Sequence, residues 1–519
     1  MKRIVVEKDS YYDSVFLMLI NKDVKSHPGV SEAVVTMGTE MNRDLLAGMG
    51  LSNDQVAAST ANDLIIALEG ETDEALDVAE ATARRLLTQK SASGKGDAYR
   101  PATLDAAVRA LPEANIAVVS LPGPFAGREV RKALERGLHV MLFSDNVPVE
   151  TEIALKKLAR EKGLLMMGPD CGTAIVNGKP LCFANVVREG DIGCVAASGT
   201  GLQEVTCSIH KAGGGISQAL GTGGRDLKNE EIGGTMMLMG IEALKNDPKT
   251  KVITIFSKPP AGSVAKKVIH ALKDSGKPGV VHFIGMEKGV DEGTIHYAGS
   301  LEETALMSVA LSKGEAYRPQ VFSAPDSEIQ KIVAAETQNM SEDQRYIRGL
   351  FTGGTLADEA LILLDDLLGG VYSNNQTKDA WLLADPHTSQ EHTIIDLGDD
   401  MFTVGRPHPM IDPSTREERI VAETEDPEMA VMMLDMVLGY GSHPDPTGAI
   451  LGSLKKAKEK AVARGGYLSI IASITGTDGD FQNVESQRRQ LESIGCVVMP
   501  SNYQASMLAV RIMEKVAQR

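Results

Sequence analysis

Between residues 102 and 188, apolar runs (IAVVSL, HVMLFS, LLMMG) alternate with amphipathic stretches (FAGREVRKALERG, PVETEIALKKLAREKG). Strands that are apolar throughout and alternate with amphipathic helices predict a parallel sheet covered on both faces. A second block of this kind spans 189–317 and opens with the strand DIGCVAA. A third spans 344–519, from RYIRGLF to a closing helix, ASMLAVRIMEKVAQR. Residues 1–95 read as a small α/β unit, in which RIVVEK, EAVVTMG and DLIIALEG alternate with helical patterns. The Gly-rich stretch 91–101, SASGKGDAYRP, reads as a linker, and the polar, Pro-containing residues 318–343 as an interdomain connection. The expected domains are therefore 1–95, 96–188, 189–317 and 344–519.

The second and third blocks repeat one another. In the second, four apolar strands run into small-residue loops: ASGTG (197–201), LGTGGRD (220–226), FSKPP (256–260) and HFIG (282–285). In the third they run into FTGGT (351–355), DLGDD (396–400), LGYGSHPDP (438–446) and ITGTDGD (474–480). Two flavodoxin-like, doubly wound units would produce this order. Ligands of such sheets sit outside the carboxyl ends of the strands. All eight loops are thus candidate site, expected to face one another across a domain interface.

The chemistry of the loops is that of anions. At Ser198-Gly199-Thr200-Gly201 a strand ends, glycines let the backbone turn, and a helix begins. Its first-turn amides and dipole favour a phosphate or carboxylate, and two hydroxyls add donors. An ordinary capped helix is the alternative. Gly353-Gly354-Thr355 repeats the device. Gly223-Gly224-Arg225 offers amides plus a guanidinium, or else a structural Arg225–Asp226 turn. Asp396, Asp399 and Asp400 crowd three carboxylates into five residues, which suits either helix caps or Mg²⁺. Arg406 in Gly405-Arg406-Pro407-His408 presents a cationic fork for a carboxylate or phosphate. Arg406, His408 and Lys258 are the catalytic candidates. Gly439, Gly441 and His443 belong with the substrate loops, while His296 reads as a satisfied loop residue. No zinc spacing and no P-loop run occurs, so no metal ligand is assigned.

Composition narrows the partners. The 519 residues carry a net charge of −17 with no offsetting basic block, which argues against nucleic acid and anionic membranes. The five cysteines form no C-x-x-C pair and read as reduced core thiols. No signal core and no run of 18 apolar residues is visible, so a cytoplasmic location is expected.

The runs GPDCGTAIVNGKPL (168–181), DIGCVAASGTGLQE (191–204) and GTGGRD resemble the α subunit of succinyl-CoA synthetase, and DLGDD with GYG resembles the CoA-ligase domain of its β subunit. From about residue 100 onward the chain most closely resembles the FdrA family, a fused form of the two, through FSDNV and DLGDDMFTVGRPHPMIDP. The resemblance implies a Rossmann-like CoA-binding-type domain ahead of two flavodoxin-like synthetase-type domains. It also implies an oxamate carbamoyltransferase that works with two companion subunits, exchanging oxalurate and phosphate for oxamate and carbamoyl phosphate; a homo-oligomer is expected besides. The ligase relay's H-A-G loop stands here as His296-Tyr297-Ala298-Gly299, and its G-E-I-G-G loop is replaced by Phe256-Ser257-Lys258-Pro259. Two other readings stand beside transfer. One is an acyl-CoA synthetase subunit with a nucleotide-binding partner; whichever reading holds, CoA or Mg²⁺ is the candidate cofactor. The other is a non-catalytic scaffold or anion-binding protein.

Overall fold

The computed structural model describes residues 1–8, 10, 12, 14–25, 27–92, 101, 103–403 and 406–519. The chain divides into two compact units. Met1–Ala102 groups with Asp400–Pro407, and Thr103–Asp399 with His408–Arg519.

The first unit is built on a three-stranded antiparallel sheet with Leu64–Gly70 between Lys2–Glu7 and Val30–Met37. The central strand LIIALEG is apolar on both sides because both faces are covered. Ile66 and Leu68 pack with Leu76 and Ala79 of the helix Asp73–Ala92. Ile65 and Ala67 pack on the other side with Leu46, Leu51 and Val56. The linker reading at 91–101 falls almost wholly on residues 93–100, outside the described residues.

The second unit holds three sheets. A small parallel sheet joins Ile116–Val119, His139–Leu142 and Met166–Met167. In the seven-stranded sheet, five strands run parallel in the order Ile295–Tyr297, Gly279–Phe283, Val252–Ser257, Glu189–Ala197, Ile216–Gly221. The hairpin Thr173–Val176/Lys179–Cys182 extends it antiparallel. In chain order the parallel strands lie 2-1-3-4-5, the flavodoxin-like arrangement expected from the repeat. The six-stranded sheet follows suit: Thr393–Asp396, Tyr346–Phe351, Met429–Val437, Ser469–Thr475 and Val497–Met499 are adjacent and parallel, with Tyr372–Ser373 added at the edge. Residues 318–343, expected to be a connection only, contain the helix Asp326–Thr337, whose Ile329 is buried.

One apolar core runs through both large sheets. It joins Leu202, Val205 and Ile209 of the helix Gly199–Lys211 to Leu356, Ala357 and Ala360 of Gly354–Leu368, and to Leu508 and Ala509 of Asn502–Val516. Polar groups are sealed in the same seam. Glu359 accepts from Leu301 N (2.8 Å) and from Asn502 Nδ2 (2.8 Å). Burial, reinforced by Glu204 and Glu302, pushes its pKa up to about 7. A carboxyl raised in the folded state favours folding below its unfolded pKa, and that contribution is lost as pH rises through the folded value. Glu359→Gln should therefore match the wild type near pH 5 but be more stable near pH 8, by about 2–3 kcal/mol. Urea unfolding at the two pH values measures this, and an equal difference at both would refute it.

Candidate functional site

The carboxyl ends of the two large sheets enclose a cavity of ≈ 380 Å³ inside the second unit. Two helix N-termini meet there. After strand Glu189–Ala197 the chain caps the helix Gly199–Lys211 with Ser198, whose Oγ accepts from Gly201 N at 3.1 Å. After strand Tyr346–Phe351 it enters Gly354–Leu368, which has no side-chain cap. The two turns touch: Ser198 Oγ lies 2.7 Å from Thr355 Oγ1, and Thr355 N donates to Thr200 Oγ1 at 3.3 Å. Only glycine allows this approach. A Cβ on Gly201 would sit 2.2 Å from Ser198 Oγ and 3.0 Å from Thr355 Cγ2, and one on Gly353 would sit 3.1 Å from Thr200.

The second turn is anchored from beneath. Asp435, fully buried on strand Met429–Val437, accepts from Thr352 N (2.9 Å) and Gly353 N (2.7 Å) and pairs with buried Arg416 at 2.9 Å. These bonds consume the amides just before the helix, while Gly354 and, at the start of the other helix, Gly199 line the cavity. Two dipole ends then point positive charge into one space.

Charged side chains complete the lining: Arg225, Lys228 and Lys258 with Asp170 and Asp396. Lys258, at the end of strand Val252–Ser257, is held 2.6 Å from Asp358 of the opposing helix. Its burial favours the neutral amine, but the carboxylates of Asp358, Asp396 and Asp170 outweigh this and raise its pKa. Asp396 accepts from Gly398 N (2.9 Å) and from Asn375 Nδ2 (3.0 Å). Burial lifts its pKa to about 7, Lys258 opposing the rise and Asp358 adding to it. His408 receives a bond at Nδ1 from Met410 N (3.2 Å), and burial lowers its pKa to about 4, so a neutral imidazole lines the cavity with Nε2 beside Gly398. Asp170 has a left-handed backbone (φ 56), a conformation that functional sites concentrate.

The expected residues divide. Ser198, Gly199, Thr200, Gly223, Gly224, Arg225, Lys258, Gly354, Thr355, Asp396 and His408 line the cavity, with Gly201 and Gly353 packed behind them. Arg225 is shared with the fold: Nε lies 3.0 Å from Glu152 and Nη2 donates to Val147 O at 2.7 Å. Its neighbour Asp226 is wholly structural, capping the helix Thr235–Asn246 and pairing with buried Lys156 at 2.7 Å. Of the three acids of 396–400, Asp396 is the one in the lining, and Asp400 opens a short helix in the first unit. Among the described residues no cluster of three or more His, Cys, Asp or Glu is placed to hold a metal ion. Arg406 is exposed in the first unit and is not part of the lining, and Gly405 lies outside the described residues. Gly439, Gly441 and His443 also lie off it. Tyr440 N donates to Ala184 O, and Gly439 and Gly441 abut Ala184 and Phe183. His296 sits in an edge strand 2.9 Å from Asp291, away from the cavity. Asp170, Lys228, Asp358 and Asp435 do not stand out in the sequence; the GPD turn, where an aspartate follows Gly-Pro, is a readable sign for Asp170 alone.

Residues 187–285 match a family model described as a CoA binding domain, and residues 350–512 one described as CoA-ligase. Residues 1–102 match one described as AllF, heavy metal-associated domain. That stretch contains no cysteine and one histidine, His27, so its residues do not fit a thiolate site for a soft metal. The uncharacterized protein YahF of Escherichia coli (strain K12) is 46% identical over 98% of this chain and 98% of its own length. Succinate–CoA ligase [ADP-forming] subunit alpha 2 of Archaeoglobus fulgidus is 26% identical over 34% of this chain and 60% of its own length. Among solved structures, the dinucleotide-forming acetyl-coenzyme A synthetase 1 of Ca. Korarchaeum cryptofilum is 15% identical, with 78% and 83% of the two chains covered and a TM-score of 0.32.

Proposed function

This chain belongs to the FdrA family, and from that premise we propose that it forms the anion-binding core of a phosphate-dependent carbamoyl transfer: oxalurate plus phosphate giving oxamate plus carbamoyl phosphate, with companion subunits. One observation supports the reading above the rest. The cavity combines two helix N-termini and cations with two carboxyl groups, Asp170 and Asp396. A phosphate or carboxylate needs only donors. A carbamoyl or oxamyl NH₂ also needs acceptors, and the carboxylates supply them. The glycine turns hold the phosphoryl oxygens, Lys258 and Arg225 balance the carboxylate, and neutral His408 offers a hydrogen bond to a carbonyl oxygen as charge develops on it. At ≈ 380 Å³ the cavity is at the small end of ligand pockets and suits two small anions.

The test is phosphate release from carbamoyl phosphate and oxamate, with the purified protein alone and with its companion subunits. Release that requires oxamate supports transfer. No release in any combination would leave only an anion-binding scaffold. Ser198→Ala removes a cap and a cavity hydroxyl, so phosphate affinity should fall by about 1–2 kcal/mol, measured by calorimetry.

Acid–CoA ligation is the second reading, favoured by the synthetase-type sheets themselves. CoA would supply a thiol that accepts the acyl group, with its reactive end at the helix N-termini. Phosphoryl labelling by ATP and a nucleotide-binding partner would support it. Labelling that survives His296→Asn would point to another residue, and His408 is the imidazole in the cavity.

A further inference from the structure

We infer that Asp396 is the proton carrier of this site, giving a proton to the departing amide nitrogen and, in the reverse direction, taking it back. This rests on the carbamoyl-transfer reading for its substrate, but the proton-binding behaviour of Asp396 can be measured without it.

The geometry singles out this carboxyl. Asp396 ends strand Thr393–Asp396, the neighbour of the strand that feeds the capless helix. Its Oδ2 stands so close to Gly354 that a Cβ there would lie 2.5 Å away. It therefore reaches the opening of the helix where the phosphoryl group is placed. It is 6% exposed, yet it lines the cavity. The charged groups around it come from every packed element: Lys258 from the second-block sheet, Asp358 from the helix Gly354–Leu368, and Asp170, Arg225 and Lys228 across the cavity. His408, on the loop beside Gly398, stays neutral above about pH 4. Lys258 is already paired with Asp358. Asp396 is thus a lining group placed to exchange a proton near neutrality, consistent with burial lifting it to about 7; Lys228, lowered by burial and by Lys258, is a second shifted group in the lining.

The step balances. A phosphate oxygen attacks the carbamoyl carbon of oxalurate, the carbon–nitrogen bond to the oxamyl nitrogen breaks, and the Asp396 proton passes to that nitrogen. Carbamoyl phosphate and oxamate result, and the carboxylate recovers a proton from the phosphate hydroxyl.

Sulfate is the probe, because it keeps its double charge across the range. In calorimetry between about pH 5.5 and 8.5, sulfate affinity of the full-length protein should rise about tenfold as pH falls through 7, since neutralising Asp396 removes a repelling charge. Asp396→Asn should bind sulfate with a flat profile. Lys258→Met should move the midpoint up and Asp358→Asn should move it down. Glu359 titrates in the same range but faces Leu301 and Asn502, so a step caused by it instead would survive Asp396→Asn. A profile unchanged by Asp396→Asn, or one that shifts in the same direction in both neighbour variants, overturns the assignment. A normal sulfate profile with no phosphate release from carbamoyl phosphate and oxamate would instead overturn the transfer reading and leave the proton on Asp396.

Discussion

Replacing Asp435 by alanine is expected to destabilise the second unit by about 3–5 kcal/mol. The carboxylate is 0% exposed and serves Thr352 N, Thr352 Oγ1, Gly353 N and Arg416 Nη2 together. Truncation leaves the Arg416 guanidinium, 3% exposed, without its counter-charge, and leaves two backbone amides without an acceptor. The double variant Asp435→Ala/Arg416→Met should recover most of the loss, because removing both charges also removes the cost of burying them. Urea unfolding of the single and double variants measures this. If the double variant is as unstable as the single one, the damage comes from the amides rather than from the orphaned arginine. In either case anion affinity should fall, because the turn before Gly354 loses its anchor.

The second large effect is on binding. Gly201→Val should abolish measurable phosphate binding, a loss of more than about 3 kcal/mol, since it separates two turns that each provide donors. The new Cβ would displace Ser198 Oγ, breaking its bonds to Gly201 N and Thr355 Oγ1, and would press on Thr355. Gly452 is the control. It is exposed within the helix Pro446–Ala463, and a Cβ there would meet no atom within 4 Å, so Gly452→Ala should be neutral or stabilising by up to about 1 kcal/mol. Phosphate binding by Gly201→Val at wild-type strength would mean that the opposed turns are not the anion site.

Much of this is legible in the chain because strand-end loops in a doubly wound sheet have a fixed address. Ser198-Gly199-Thr200 and Gly354-Thr355 announce themselves by glycine and hydroxyl spacing, and both line one cavity. Lys258 is found because a lysine between a strand and two prolines has few other uses. The loop 438–446 carries equally good signals, yet its glycines serve a close approach to Ala184 and Phe183. A glycine needed for packing and one needed for a ligand have the same sequence signature. Asp435 and Asp358 are invisible for a different reason. One lies inside an otherwise apolar strand and the other on a helix face, and only their partners from elsewhere in the fold, Arg416 and Lys258, give them a role.

The seam between the two large sheets has a consequence for how such proteins can be partitioned. Leu202 and Val205 of one half share a single core with Leu356 and Leu508 of the other, and Asn185 Nδ2 reaches Leu438 O and Asp480 across it. Association is therefore held by packed surface, and even the stretch between Lys313 and Asp326 packs on it through Tyr317, Phe322 and Ala324, with Ser323 N donating to Gln504 Oε1 at 3.1 Å. A cut in that stretch is expected to leave two chains that stay associated through the seam and keep the cavity, since none of its residues lines it.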